Sequence, residues 1–208
     1  MNTNNNNLII ENQYFGCIEW TKYLFKNTHI LFLACDRYRK MSFRNRAIVM
    51  GSNGQIDLSV PLENGRDQKS AYKDVKISYR SRWQSIHWNT ITSCYNKSPF
   101  LEYYSHELEM LLRKKHVFLF DMNLEILEWL KKQIGFTAEI IVAEKMSIGD
   151  MADKTDQWMP SHFKETETPV IYPQVFENKV GFIPNLSILD MLFNCGPQTH
   201  RLLLASAE

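Results

Sequence analysis

The fold turns on LIIENQYFGCIEWTKYLFKNTHILFLAC, residues 8–35. Leu8-Ile9-Ile10 is an apolar triplet that reads as a short buried strand. Residues 13–16 read as a turn, residues 18–27 as a helix and residues 30–35 as a second buried strand. A strand, a helix of about ten residues and another strand make the grammar of a βαβ unit, in which ligands collect at the carboxyl ends of parallel strands. Those ends fall at Gln13-Tyr14 and at Asp36, so Tyr14 and Asp36 are candidates for a site.

Further along, Ile56, Leu58, Val60 and Leu62 alternate with polar residues. Residues 42–50 and 55–62, joined by the turn-rich Gly51-Ser52-Asn53-Gly54, therefore predict a β-hairpin. Residues 65–72 are a polar loop, and residues 75–77 predict one more short strand. From Arg82 the period becomes helical, with Trp83, Ile86, His87, Thr90, Ile91 and Cys94 on one stripe. Ser98 with Pro99 reads as the N-cap and first position of a second helix, which turns Leu101, Tyr104, Leu108, Leu111 and Leu112 inward. Asp121 or Asn123 then caps a helix over residues 124–134, closed by Gly135 as a left-handed cap, and residues 137–143 predict a strand. Residues 147–168 mix charge, Gly and Pro and read as a surface excursion. An apolar helix follows that is capped by Asn185 or Ser187 and stopped by Gly196-Pro197. The expected architecture is α/β: a βαβ-like unit plus a hairpin forming a mixed sheet, packed with a helical C-terminal half. A single domain over residues 1–208 is expected, with residues 1–7 as a disordered tail.

Twenty-four Lys and Arg stand against 23 Asp and Glu, a formal net charge of +1. Nothing global draws the chain to nucleic acid or to an anionic membrane, so any basic site is local. Apolar runs such as residues 30–35 are far shorter than the roughly 18 to 20 residues that a membrane span needs, so no transmembrane segment is expected. The Asn-rich start lacks the pattern of a signal peptide, and a cytoplasmic location is the expectation. Cys17, Cys35, Cys94 and Cys195 have no paired spacing, and no two histidines have zinc-ligand spacing on a helix. No metal or other cofactor is expected, and the cysteines read as buried thiols.

Residues 36–46 gather five cations: Arg37, Arg39, Lys40, Arg44 and Arg46. On a strand beginning at Ser42, Arg44 and Arg46 share a face about 7 Å apart, a spacing at which two guanidiniums fork onto phosphate or carboxylate oxygens. Asn45 points to the other face, as a packing bracket or a ligand contact. The arginines read equally as a solvated face paired with nearby acids. His87, on its apolar stripe, reads as a satisfied core histidine or as a general base. Tyr95 and Lys97 precede a helix N-terminus, a natural anion seat. Gln174 borders an apolar run, and Asp190, three residues after Ser187, reads as part of a capping box.

Several blocks together carry a resemblance: Asp36-x-Tyr38-x-Lys40-x-Ser42-x-Arg44-Asn45-Arg46, Leu58-Ser59-Val60-Pro61, Trp83-x3-His87, Tyr95-Asn96-Lys97-Ser98-Pro99-Phe100, Tyr172-x-Gln174-x-Phe176, and Gly181-Phe182-x-Pro184-Asn185-Leu186-Ser187-Ile188-Leu189-Asp190. In order and spacing these resemble the WbqC-like family, from about residue 13 to residue 197. The prolines of that family's opening signature are absent from Asn12-Gln13-Tyr14-Phe15-Gly16, and the region after Ala143 is shorter than in many members. The resemblance implies a place among genes for O-antigen and other surface polysaccharides. It also implies a transferase role, with glycine transfer onto a nucleotide-linked amino sugar as one form. The expected partner is an anionic small molecule such as a nucleotide sugar. Arg44 and Arg46 would hold phosphates, with Asn45, Lys40, Tyr14 and Gln174 as further binding residues. His87 and Asp36 would serve in catalysis, and Tyr95 with Lys97 would orient developing charge. The alternative is a non-enzymatic anion- or partner-binding module of the same pathway.

Overall fold

The computed structural model describes residues 7–65, 69–144 and 151–207. The first strand, β1 (Asn7–Ile9), leads through the helix α1 (Ile18–Lys26) to β2 (His29–Leu33), which lies parallel to it with Leu8 opposite Ile30. Parallel strands are covered on both faces, which is why these segments are near-continuous apolar runs. Ile9, Ile30 and Phe32 are accordingly buried. Two later strands complete the sheet, β5 (Glu139–Ala143) beside β2 and the two-residue β6 (Ala152–Asp153) beside β1, both parallel. The order is β5-β2-β1-β6, so the earliest strands are central and the latest are edges.

The hairpin of β3 (Arg46–Gly51) and β4 (Gly54–Ser59) forms a sheet of its own, with Arg46 opposite Ser59. It does not join the parallel sheet, because the free side of β3 is taken by other groups. The Ser187 backbone N–H donates to Ile48 O at 2.8 Å, and the Met50 N–H donates to the Tyr95 hydroxyl at 3.0 Å. The strand also begins at Arg46 rather than Ser42. Residues 40–45 are turns, with Met41 at φ 55°, so Arg44 and Arg46 are not strand neighbours on one face.

The helical half contains α2 (Trp83–Tyr95), α3 (Leu101–Arg113), α4 (Leu119–Ile134), the single turn α5 (Glu177–Val180), α6 (Ile188–Cys195) and α7 (Gln198–Ala207). Trp83, His87, Ile91 and Cys94 face inward on α2 as their spacing predicts, while Ile86 is exposed. Three boundaries differ from expectation for tertiary reasons. Ser98 is not the cap of α3: its hydroxyl donates back to Tyr95 O at 2.6 Å, and the helix starts only after Phe100 N–H has bonded Phe193 O at 3.0 Å. The apolar run at residues 117–120 leads straight into α4, which begins at Leu119 with Phe118 at its N-cap, so Asn123 lies inside the helix and not at its cap. Residues 75–77 make isolated bridges, Ile77 with Leu62 and Lys76 with Phe118, instead of a strand.

Gly135 closes α4 at φ 71°, as its position predicts. Ser187 caps α6 by accepting the Leu189 N–H, but the Asp190 carboxylate has other partners, described below. The tail at residues 1–6 and the start of the excursion at residues 147–150 lie outside the described residues, while Asn7 opens β1. The rest of the excursion includes β6 and inserts Trp158, Met159 and Phe163 into the protein.

Candidate functional site

At the carboxyl edge of the parallel sheet the chain leaves β1 through Glu11-Asn12-Gln13, β2 through Asp36 and β6 through Lys154-Thr155-Asp156. Between these ends sits the side chain of Arg44, 1% exposed, brought there by the turns before β3. Its guanidinium pairs with the Asp156 carboxylate and lies 5.3 Å from the centre of the Tyr72 ring. Arg39 reaches the other Asp156 oxygen from the surface at 3.6 Å. Beside Arg44 the Glu11 carboxyl is buried, with Gln13 Nε2 donating to one oxygen and the Asp156 N–H to the other at 2.7 Å. Burial pushes Glu11 up from 4.5 to about 7, against the pull of Arg44 and these hydrogen bonds. Burial likewise raises Asp36, which is partly open to solvent and feels Arg44 in one direction and Asp153 and Asp156 in the other. A carboxyl that changes charge near neutrality at a strand's end marks a candidate acid–base centre.

A second layer fixes Arg44 from beneath. Asn123, inside α4, donates to Arg44 O and to the Tyr72 hydroxyl, both at 2.7 Å, and that hydroxyl donates to Asn12 O at 2.8 Å. Asn123 Oδ1, Asn12 Oδ1 and Arg44 Nε are buried without a hydrogen-bond partner, so polar capacity remains around this cluster. Among the described residues no group of three His, Cys, Asp or Glu is arranged to hold a metal ion.

The residues singled out from sequence divide among five places. Asp36 and Arg44 belong to the sheet edge, where acids outnumber the buried cation, so Arg44 is an internal counter-charge rather than half of an arginine pair. Asn45 accepts from the Tyr38 hydroxyl at 3.0 Å and donates to Val60 O at 2.8 Å, which supports the bracket reading. It also lines a cleft of about 300 Å³ with Ser59, Pro61 and Gly65. Arg46 pairs in the hairpin with Ser59, while Lys40 is exposed on the turn.

Tyr14 and His87 meet in the core, with the Tyr14 hydroxyl 2.9 Å from His87 Nδ1, and the same imidazole bonds the Ser59 backbone. The ring is 3% exposed, and burial lowers it to about 4, so it stays neutral at ordinary pH. Tyr95 and Gln174 lie in a third cluster around Asp190. Its carboxylate accepts from Tyr95 and Tyr172, both at 2.6 Å, and Gln174 donates to the Tyr172 hydroxyl at 3.0 Å. Burial raises Asp190 from 3.8 to about 6. Asp190 thus anchors buried tyrosines instead of completing a capping box. Lys97 is exposed after α2, and since α3 begins at Leu101 the helix N-terminus imagined beside it lies further on.

Glu11 was not among the residues that the sequence singled out. Its signal was present: an acid directly after the apolar triplet, closer to the strand's end than Gln13-Tyr14.

No described helix is long and apolar enough to cross a membrane. No curated protein and no solved structure matches the chain. The model of the WbqC-like protein family matches residues 12–160 and 155–202, nearly the whole length; the match begins one residue after Glu11 and takes in Asp36, Arg44, Asp156 and the Asp190 cluster. The chain belongs to the WbqC-like protein family.

Proposed function

We propose that the chain is a transferase in surface-polysaccharide precursor synthesis, with Glu11 as its proton acceptor and Asp36 at the same edge of the sheet. The observation that carries this reading is the buried Glu11 carboxyl, raised to about 7 beside Arg44 at the carboxyl edge of a parallel sheet. A group with that affinity takes and returns a proton near neutral pH. Arg44 balances the charge once the proton has left, and Gln13 and the Asp156 N–H hold both carboxyl oxygens in place.

An excess of acids at this edge suits an amine or hydroxyl acceptor better than a phosphate, and a nucleotide-linked amino sugar offers such an amine. In glycyl transfer the amine nitrogen bonds the acyl carbon of an activated glycyl donor. The donor's leaving group departs with the electron pair of the broken bond, and the amine proton passes to Glu11. The cleft beside Asn45 is large enough for part of a sugar nucleotide. Arg46 and Lys40 lie in the same stretch of chain as that cleft, and His87 with Tyr14 braces its Ser59 wall.

A uridine-diphosphate amino sugar incubated with a glycyl thioester and the full chain tests this by mass spectrometry. The glycylated sugar is expected, at a rate that rises with pH through about 7 as Glu11 loses its proton, and it should vanish in Glu11→Gln. A product formed equally by Glu11→Gln would refute the assignment. The second reading, a binding module without chemistry, is favoured by His87 being engaged at Tyr14 and Ser59 inside the core. Binding of the sugar nucleotide with no turnover under any donor would select it.

A further inference from the structure

A second cleft, of about 420 Å³, opens between α1 and the segment that follows β6. Lys22, Tyr23 and Lys26 line it from the helix, and Lys154 and Trp158 line it from the segment. The three ammonium groups are not equivalent. Lys22 is buried and spent, bonding both Glu19 oxygens at 2.9 and 3.1 Å and Thr168 O at 3.2 Å.

Lys154 has no such counter-charge. Its Nζ donates to the neutral Tyr23 hydroxyl at 2.9 Å and lies 4.7 Å from the centre of that ring, and no carboxylate of the described residues pairs with it. Lys26 Nζ lies 5.9 Å from the same ring, so two ammonium groups flank one phenol. The Tyr23 ring is braced in turn by Trp158, with ring centres 4.9 Å apart. The backbone of Lys154 is pinned as well, its N–H donating to Ile9 O at 2.9 Å. Pre-positioned ammonium groups in a cleft of this size form a seat for a compact anion.

We propose that this cleft binds a phosphate or diphosphate group of a small molecule, with Lys154 and Lys26 as its cationic contacts. Glu165 and Glu167 line the same cleft as exposed residues. Their repulsion grows with the number of phosphates in the ligand, so the cleft favours one compact group over an extended polyanion. The site goes beyond the acid–base reading of Glu11 and stands without it. The two are nonetheless adjacent, because Lys154 and the Asp156 that contacts both Arg44 and Glu11 belong to one turn.

Calorimetric titration of the full chain with inorganic pyrophosphate and with uridine diphosphate is the test. Saturable binding of at least one is expected, weakened about tenfold by Lys154→Gln and by Lys26→Gln, the size of one partly exposed charge-assisted contact. Lys132→Gln, at an exposed pair with Glu107 on α4, should leave it unchanged. Tighter binding of the nucleotide would assign the anion to a nucleotide carrier, and equal binding to the phosphates alone, with the site supported either way. Absence of saturable binding for both anions, or equal weakening by Lys132→Gln, overturns the proposal. Lys26 is exposed, so Lys26→Gln keeps the test open if Lys154→Gln unfolds. Glu11→Gln should bind normally, so a lost transfer with intact binding separates the fate of the two readings.

Discussion

Replacing Arg44 by Leu tests the charge balance at the sheet edge most directly. The substitution keeps an apolar stem over Tyr72 but removes the cation that faces Glu11 and Asp156. Breaking a buried pair by deleting one member costs about 3–5 kcal/mol, because the remaining charge is left without compensation. In a domain of this size each kcal/mol lowers the melting temperature by about 2–4 °C, so a fall on the order of 10 °C is expected near neutral pH.

The pH dependence is the sharper readout. Glu11 holds its proton up to about 7 in the folded chain and releases it near its ordinary 4.5 when unfolded. Between those values the folded state binds more protons, so this group's contribution is fully present below about 4.5 and is lost as pH rises to about 7. Without Arg44 the folded carboxyl holds its proton to still higher pH, and the loss extends above 7. Thermal unfolding at pH 5, 7 and 8.5 should therefore show a penalty that is smallest at pH 5. Adding Glu11→Gln should recover part of it by removing the orphan charge. A penalty that is identical at all three pH values and untouched by the second substitution would refute the charge balance described here.

His87 is held neutral by burial, so its imidazole should begin to protonate in the intact protein only near pH 4. Its contribution to stability is then present above about 6.5 and lost as pH falls toward 4; an NMR titration centred near 6.5 would contradict this. Asp190→Leu leaves the Tyr95 and Tyr172 hydroxyls buried without an acceptor and should cost about 2–6 kcal/mol in denaturant unfolding, since each unpaired group costs about 1–3. The double variant that also carries Tyr172→Phe should regain part of that stability, because Gln174 keeps Ile183 O as its acceptor, and a further loss would argue against the network. Gly196→Ala should be more damaging than Gly135→Ala, although both sites have positive φ. A Cβ at Gly196 would fall 2.5–2.7 Å from the Phe100 ring, whereas at Gly135 the nearest atom is His200 Nδ1 at 3.3 Å. Equal melting temperatures for the two variants would count against this packing.

Local periodicity made much of the fold legible: the βαβ unit, the hairpin, the buried stripe of α2 and the glycine stop of α4 all follow from spacing within a few turns. Element starts were harder, because a remote partner decides them. Ser98 looks like a cap until its hydroxyl is seen closing the end of α2, and Arg44 looks like a strand residue until the turns before Arg46 are seen. The candidate site was legible only in part, through Asp36 and Arg44. Its organising contacts run from Asp156 to Arg44 and from the Asp156 N–H to Glu11, across separations for which sequence carries no local signal. The same distance hid the tyrosine partners of Asp190 behind a plausible capping box.

The strand order has a consequence for biosynthesis. The middle of the parallel sheet, ending at Leu33, is synthesised well before its two flanks, which are encoded by residues 139–143 and 152–153. Until those segments appear, β1 and β2 carry bare hydrogen-bonding edges, the kind that recruits other chains. Closure of the sheet thus waits on the whole stretch of chain between β2 and β6. Fragments ending before residue 139 should aggregate rather than persist as half-built domains.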